Sequence, residues 1–420
     1  MRVTLCGRSA THDTTLKLYD CVDPIGTWLY AERYLGVGTR AYSSFSEDLE
    51  IAEAFHPQRG AASFTVPTFR LPDSAGSYLQ NTLPSALHAL YRQEGGFLLP
   101  VHPETLAFEG LHERGKLATF AEGPPIEVVP LANARTVFVR AIGGEAVTPH
   151  FLKLHYPERL SRFTRRLRRP IIALQLWVAE ELFRVGVPFL GEVGGGVFGH
   201  DPKEAWGYLI RECRAVGEDA PEFTVPLFAL YGGDYRAPEE PSLLEQLVAV
   251  SGQSGEAYLA ERVIEPMVAL WAKALLTTGC AAELHGQNTL FAFSKDGARS
   301  KIVYRDCAIY IDPAIREGLA LRDLPGLNVI SRDIRMPSEQ VLSLVYDSFM
   351  GHHALTFLAR LAEERLGVRR AALHEAAREA FAKATGGRRL LPETIYYYDD
   401  KIHANGKWRL VDTGEAPVWR

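Results

Sequence analysis

The sequence predicts an α+β fold, with antiparallel sheet in its first half and sheet plus a helical bundle in its second. Three observations point there. The strand-like runs Ile126-Glu-Val-Val-Pro-Leu131, Thr136-Val-Phe-Val-Arg-Ala141 and Pro149-His-Phe-Leu-Lys-Leu-His155 follow one another across short polar links. Residues 281–307 read as two strands joined by a polar turn centred on Asp296-Gly297. Residues 243–278, 338–365 and 369–385 read as helices, the last closed by Gly386-Gly387.

A chain of 420 residues fits two or three domains. Hydrophobic residues at 47% and charged residues at 23% are the mix of a soluble globular protein. The net charge of −5 gives no global electrostatic case for nucleic acid. No apolar run reaches the length of a membrane span, and Met1-Arg-Val-Thr-Leu-Cys6 lacks a signal-peptide core. Five scattered cysteines without a CxxC pair point to a reducing cytoplasm.

In chain order, Arg8–Lys17 is polar and reads equally as a loop with ligand groups or an exposed turn. Ala61–Phe69 is a strand candidate, and Pro84–Gln93 a helix opened by its proline. Phe97–His102 is a short buried strand, whose His102 reads as structural. Arginines at 162, 165, 166 and 169 share helical spacing, either a solvated helix face or a cluster for a small anion. Ile171–Gly186 is an apolar helix. Gly194–Gly196 lacks the frame of a phosphate-binding loop and reads as a flexible turn. Gly232–Ser242, rich in Gly, Pro and acids, is the best linker. Residues from Thr394 onward read as strand and loop.

The chemistry concentrates at 281–307. As a strand, Glu283, His285 and Gln287 would share one face, and the hairpin would bring Asp306 back towards His285 and Asn288. Unpartnered buried polar groups cost several kcal/mol, so a ligand explains this cluster better than packing does. Arg135, Lys153 and Arg165 supply cations from the other half. Cations facing carboxylates and amides suit a nucleotide, a hard divalent cation such as Mg²⁺ on Asp306 or Glu283, and an anionic substrate.

These segments resemble the NRPS-independent siderophore (NIS) synthetases of aerobactin-synthetase type. Glu283-Leu-His285-Gly-Gln287-Asn288 is similar to that family's ExHxQN motif, with Arg305-Asp306 at its RD position. Asn133-Ala-Arg135-Thr136 resembles SxRT with asparagine for serine. Phe151-Leu-Lys153-Leu matches the strand lysine, Ser161…Arg165 the Thr/Ser-x-x-x-Arg element, and Pro100-Val-His102-Pro103 the PVHP box.

The resemblance implies an ATP-dependent ligase that adenylates a polycarboxylate such as citrate and joins it to an amine or alcohol. It implies a reduced N-terminal region (1–96), a fingers-like domain (97–231) and a palm-like domain (243–420), with the active site in the cleft between the last two. Asn133, Thr136, Lys153, Arg165, Glu283, His285, Gln287, Asn288 and Asp306 would line the nucleotide and Mg²⁺ side. Arg135, Lys153, Arg165 and His285 would carry catalysis, with Ser161 and either Lys401 or Lys407 towards substrate. A cytoplasmic homodimer is expected on the same ground.

Two departures bear on the acid. The family's GHPxHPxxKxRxG motif is reproduced neither by His12…Lys17 nor by His56-Pro57, and the chain is short before residue 97. Two other classes fit part of the pattern. One is a small-molecule kinase, whose HGDxxxxN…D hairpin the segment echoes with Gln287 in place of the base aspartate. The other is a degenerate member that binds without turnover.

Overall fold

The computed structural model describes residues 17–18, 21–39, 51–160, 163–216, 221–326, 337–399 and 409–420, with side chains described except at 158–165 and 216. Helix α1 (Pro24–Tyr34) begins where the Asp23 side chain accepts from Ile25 N and a proline fills the first turn. Ten strands follow: β1 (Phe64–Val66), β2 (Thr68–Pro72), β3 (Gly76–Gln80), β4 (Arg92–Gln93), β5 (Gly96–Pro100), β6 (Ile126–Pro130), β7 (Thr136–Ile142), β8 (Glu145–Lys153), β9 (Tyr156–Leu160) and β10 (Phe163–Arg165). Helix α2 (Arg169–Arg184) leads to β11 (Phe189–Phe198), β12 (Trp206–Gly207), β13 (Leu209–Val216) and β14 (Phe223–Pro226). After α3 (Leu243–Ser251) and α4 (Glu265–Thr278) come β15 (Cys280–Ala281), β16 (Thr289–Phe293), β17 (Ser300–Tyr304) and β18 (Tyr310–Ile311). A π-helix, Leu344–Leu355, runs into α5 (Thr356–Leu366), then α6 (Arg370–Thr385) and the hairpin of β19 (Tyr396–Tyr398) and β20 (Leu410–Asp412).

Eleven strands form one sheet in the order β1-β6-β7-β8-β13-β11-β17-β16-β14, with β3 and β12 paired to β11 off this path. Its described ladders are antiparallel except β11–β17, which is parallel at Phe189 and Tyr304. That pairing carries the sheet from the strands of the first half to the β16–β17 hairpin. Helix α4, the π-helix and α6 pack together, with Trp271 edge-on to Tyr346 at 4.7 Å. The α+β reading holds.

Several local expectations are corrected. Glu283–Asn288 is a turn, not a strand, because His285 O accepts from Asn288 N (3.1 Å) and Thr289 N (3.0 Å). Gly194–Gly196 lies inside buried β11. Its glycines allow close approach: a Cβ on Gly196 would sit 2.6 Å from the Phe97 ring. The 84–93 helix shrinks to one turn, His88–Tyr91, and Arg92–Gln93 pairs with β5 instead. There Ser85 Oγ accepts from Leu87 N (3.1 Å) and donates to Glu212 (2.5 Å), which competes with helical bonding.

Arg165 ends β10, which pairs with β9, and helix α2 begins only at Arg169; Arg162 lies outside the described residues. Residues 243–278 break after Ser251, where Gly252 takes a left-handed φ of 67°, and pass through a π-turn at Ala260–Ile264. The linker 232–242 is tied to α1: Tyr30 Oη donates to Asp234 (2.8 Å), and the Arg236 guanidinium lies 4.0 Å from the Tyr34 ring centroid.

Candidate active site

Four consecutive strands of the large sheet each deliver one charge to the same place. Lys153 ends β8, Arg211 lies on β13, Glu192 on β11, and Asp306 follows β17. Lys153 Nζ donates to Asp306 Oδ1 at 2.6 Å and to Gln175 Oε1, and lies 3.7 Å from Glu192 Oε1. Arg211 Nη2 donates to Glu192 Oε1 at 2.6 Å and lies 3.8 Å from Asp306 Oδ2. Glu192 Oε2 accepts from Cys307 N at 3.2 Å. The Lys153 and Glu192 side chains are fully buried and Arg211 nearly so. Asp306 itself has a left-handed φ of 82°, a strained conformation of the kind that clusters at functional sites.

Burial opposes the Asp306 carboxylate, but the charges of Lys153, Arg211 and Arg135 outweigh it and hold its pKa well below the usual range. Burial lowers the pKa of Lys153, against the raising effect of Asp306 and Glu192. Arg135 is thus close enough to act on both groups. It projects from a turn that Asn133 shapes: Asn133 Oδ1 accepts from Thr136 N (2.8 Å), and its amide donates to Thr136 Oγ1 (2.9 Å).

A second cluster adjoins the first through the dipeptide Arg305-Asp306. Arg305 N donates to Asn288 O (2.9 Å) and Arg305 Nε to Gln287 O (2.7 Å), while its guanidinium pairs with buried Glu32 on α1. His285 Nδ1 accepts from Gln287 N at 3.2 Å, which fixes the turn and leaves Nε2 as the other ring nitrogen. The ring stands edge-on to Phe349 at 6.0 Å. His285 and Gln287 line a cavity of about 340 Å³ with Glu32, Tyr231 and His353, and the 56–59 loop lines it too. The buried guanidinium of Arg33 holds that loop by donating to the carbonyls of Pro57 (2.7 Å), Ala61 (3.0 Å) and Ala62 (3.0 Å).

The structure therefore brings Arg135, Lys153 and Asp306 together, and places the 283–288 turn beside them. Glu283 is half-buried, and its charge acts on Tyr304. Arg165 has a described backbone on β10 but no described side chain; Ser161, Lys401 and Lys407 lie outside the described residues. Sequence reasoning missed Glu192, Arg211 and Gln175. Their signal was present as lone charges or amides inside apolar strand and helix runs. Among the described residues no group of three or more His, Cys, Asp or Glu side chains could hold a metal ion. Asp306 Oδ1 is taken by Lys153, so its Oδ2 is the oxygen it could offer a cation.

The fold is similar to those of solved siderophore synthetases, so the motif resemblance holds at the level of the fold. The solved structures that carry this are specific ones. ATP-bound aerobactin synthetase IucA from a hypervirulent pathotype of Klebsiella pneumoniae superposes with a TM-score of 0.66 and 14% identity, over 93% of this chain and 77% of that one. Petrobactin biosynthesis protein AsbB from Bacillus anthracis str. Sterne gives 0.66 and 12%, over 94% and 75%. Aerobactin synthetase IucC from the same Klebsiella pathotype gives 0.57 and 17%, over 83% and 66%. The chain thus spans about two thirds to three quarters of the length of these proteins. Residues 257–392 match the family model described as ferric iron reductase FhuF-like transporter. No curated protein sequence matches the chain. No described helix is long and apolar enough to cross a membrane.

Proposed function

We propose that this protein is a NIS-type synthetase: an ATP-dependent ligase that adenylates a carboxylic acid, citrate or a related polyacid, and condenses it with an amine or alcohol. The observation that carries the reading is the buried Lys153–Asp306 pair with Arg135 beside it, set next to the His285 turn and its cavity. In the first step a carboxylate oxygen attacks the α-phosphorus of ATP, forming a C–O–P link and expelling pyrophosphate. In the second, the nucleophile attacks the activated carbonyl, AMP leaves with the C–O bond electrons, and the nucleophile's proton passes to solvent.

Each residue has a physical part in this scheme. Lys153, Arg135 and Arg165 would offset negative charge developing on the phosphates. His285 Nε2 would hold the carboxylate or an α-phosphate oxygen at attack distance, where orientation supplies much of the barrier reduction. Gln287, Asn288 and Thr136 would shape the nucleotide wall, and Ser161 with Lys401 or Lys407 would face the acid. Glu283 and Asp306 would be the carboxylates towards Mg²⁺, which would supply neutralisation of phosphate charge. Residues 97–231 and 243–420 would form the two sides of the cleft, in a cytoplasmic homodimer.

The test is product analysis with ATP, Mg²⁺ and a panel of carboxylic acids and amines. Acid-stimulated release of AMP and pyrophosphate supports the ligase; ADP identifies a phosphotransferase, and tight ATP binding without either product identifies a binding protein. His285→Ala and Arg165→Ala should each lower pyrophosphate release at least about tenfold, roughly 1.4 kcal/mol.

A further inference from the structure

The pair Glu192–Arg211 is left unexplained by the roles given to Lys153 and Asp306. It is costly: two fully buried ions on neighbouring strands carry desolvation penalties of several kcal/mol each, which geometry alone must offset. It is also specially placed. Glu192 and Arg211 stand directly opposite each other in the β11–β13 ladder, and the register of that ladder shifts on both sides of Glu192. Irregularities of this kind re-aim side chains and are common beside active sites. Lys153 lies opposite Leu209, two residues from Arg211, so the three side chains project from one face of the sheet. Arg211 Nε is buried with no hydrogen-bond partner among the described residues, so the guanidinium serves Glu192 and Asp306 only through its other end.

The distances show which cation Glu192 takes. Its Oε1 accepts from Arg211 at 2.6 Å and leaves Lys153 at 3.7 Å. We infer that Glu192 and Arg211 are positioning residues: Arg211 occupies Glu192 so that Lys153 remains the exchangeable cation of a quartet in which two cations balance two carboxylates. Meanwhile Glu192 anchors the Asp306–Cys307 backbone that holds the lysine in place. A polyanionic ligand can then recruit Lys153 while buried Glu192 keeps its partner, since Arg211 holds Glu192 at 2.6 Å and stands 3.8 Å from Asp306. Both contacts run through Arg211 Nη2, and the guanidinium keeps its charge when buried, where an ammonium readily loses it. The inference rests on the reading of Lys153 as a phosphate-facing cation.

The variants Arg211→Gln, Glu192→Gln and the double variant test it by calorimetry with ATP and, separately, inorganic tripolyphosphate. Arg211→Gln frees Glu192 to capture Lys153, and both ligands should bind at least about tenfold more weakly, with kcat falling less than KM rises. Glu192→Gln should weaken binding by less than about threefold, and the double variant should return to within about threefold of wild type. A pair that merely supports the fold predicts something else: lower thermal stability in both single variants, unchanged affinity per folded molecule, and no recovery in the double. That result overturns the inference, as does an Arg211→Gln protein that binds both polyanions like wild type. Wild-type protein that binds ATP but releases no pyrophosphate with any acid removes the ligase reading and leaves these affinities decisive. Wild-type protein that binds neither polyanion removes both.

Discussion

Burial and charge act in opposite directions on Asp306, and the three surrounding cations decide the outcome. Because its folded pKa is depressed, the stabilisation is complete above the unfolded carboxylate value of about 3.9 and is lost as pH falls below it. Asp306→Asn should therefore flatten the acid limb of stability. At neutral pH it should destabilise by about 3–5 kcal/mol, because Lys153 is left buried without its closest carboxylate. Urea unfolding at pH 7 and pH 3.5 reads both effects. Lys153→Met is expected to weaken ATP binding at least about tenfold, in line with loss of one charge-assisted contact. An unchanged calorimetric affinity would remove Lys153 from the nucleotide site. Of these residues, Lys153 and Asp306 stood out in the sequence because a charge ended an apolar strand. Glu192 and Arg211 carried the same signal, but nothing in the linear order said that their strands are neighbours.

At the scale of elements, the His285 turn depends on the π-helix at Leu344–Leu355. Near the end of that helix the His353 carbonyl accepts from Gly286 N and from Tyr231 Oη, each at 3.3 Å. Gly286 is required by this contact, since a Cβ there would run into the Tyr231 hydroxyl. Gly286→Ala should cost about 1–3 kcal/mol and lower pyrophosphate release, and Tyr231→Phe should recover part of both by removing the clashing oxygen. Thermal melts and product assays of the single and double variants check this; a double variant no better than Gly286→Ala would contradict it. The β16–β17 hairpin was legible from alternation and its Asp-Gly turn. The 283–288 turn was not, because His285 bonds to the backbone ahead of it, and period-two spacing cannot show a side chain folding back on its own main chain.

For the whole molecule, three buried histidines set the acid limit. Burial pushes His102 and His155 down to about 3 and His150 to about 4. Each is neutral in the fold, so its contribution is complete above the unfolded value of about 6.5 and is lost as pH falls towards the folded ones. Well below pH 6.5 each costs about 1.4 kcal/mol per pH unit down to its folded value. Together that is roughly 11 kcal/mol by about pH 3.5, which exhausts a stability in the lower and middle part of the ordinary range of about 5–15 kcal/mol. Cooperative unfolding is expected above about pH 3.5. A circular-dichroism titration showing native signal at pH 3 would contradict it.

The sequence by itself determined the α+β class, the helical and strand segments with strong periodicity, and the chemistry gathered near Arg135, Lys153 and 283–306. These are short-range properties, since alternation, caps and turn residues act within a few positions. Only the tertiary structure decided that β8, β13, β11 and β17 are neighbours, that their four charges close into one buried quartet, and that the 56–59 loop and α1 wall the cavity. Strand order and ion pairing between distant residues, 153 positions apart for Lys153 and Asp306, are set by packing of the whole sheet, and no local pattern encodes them.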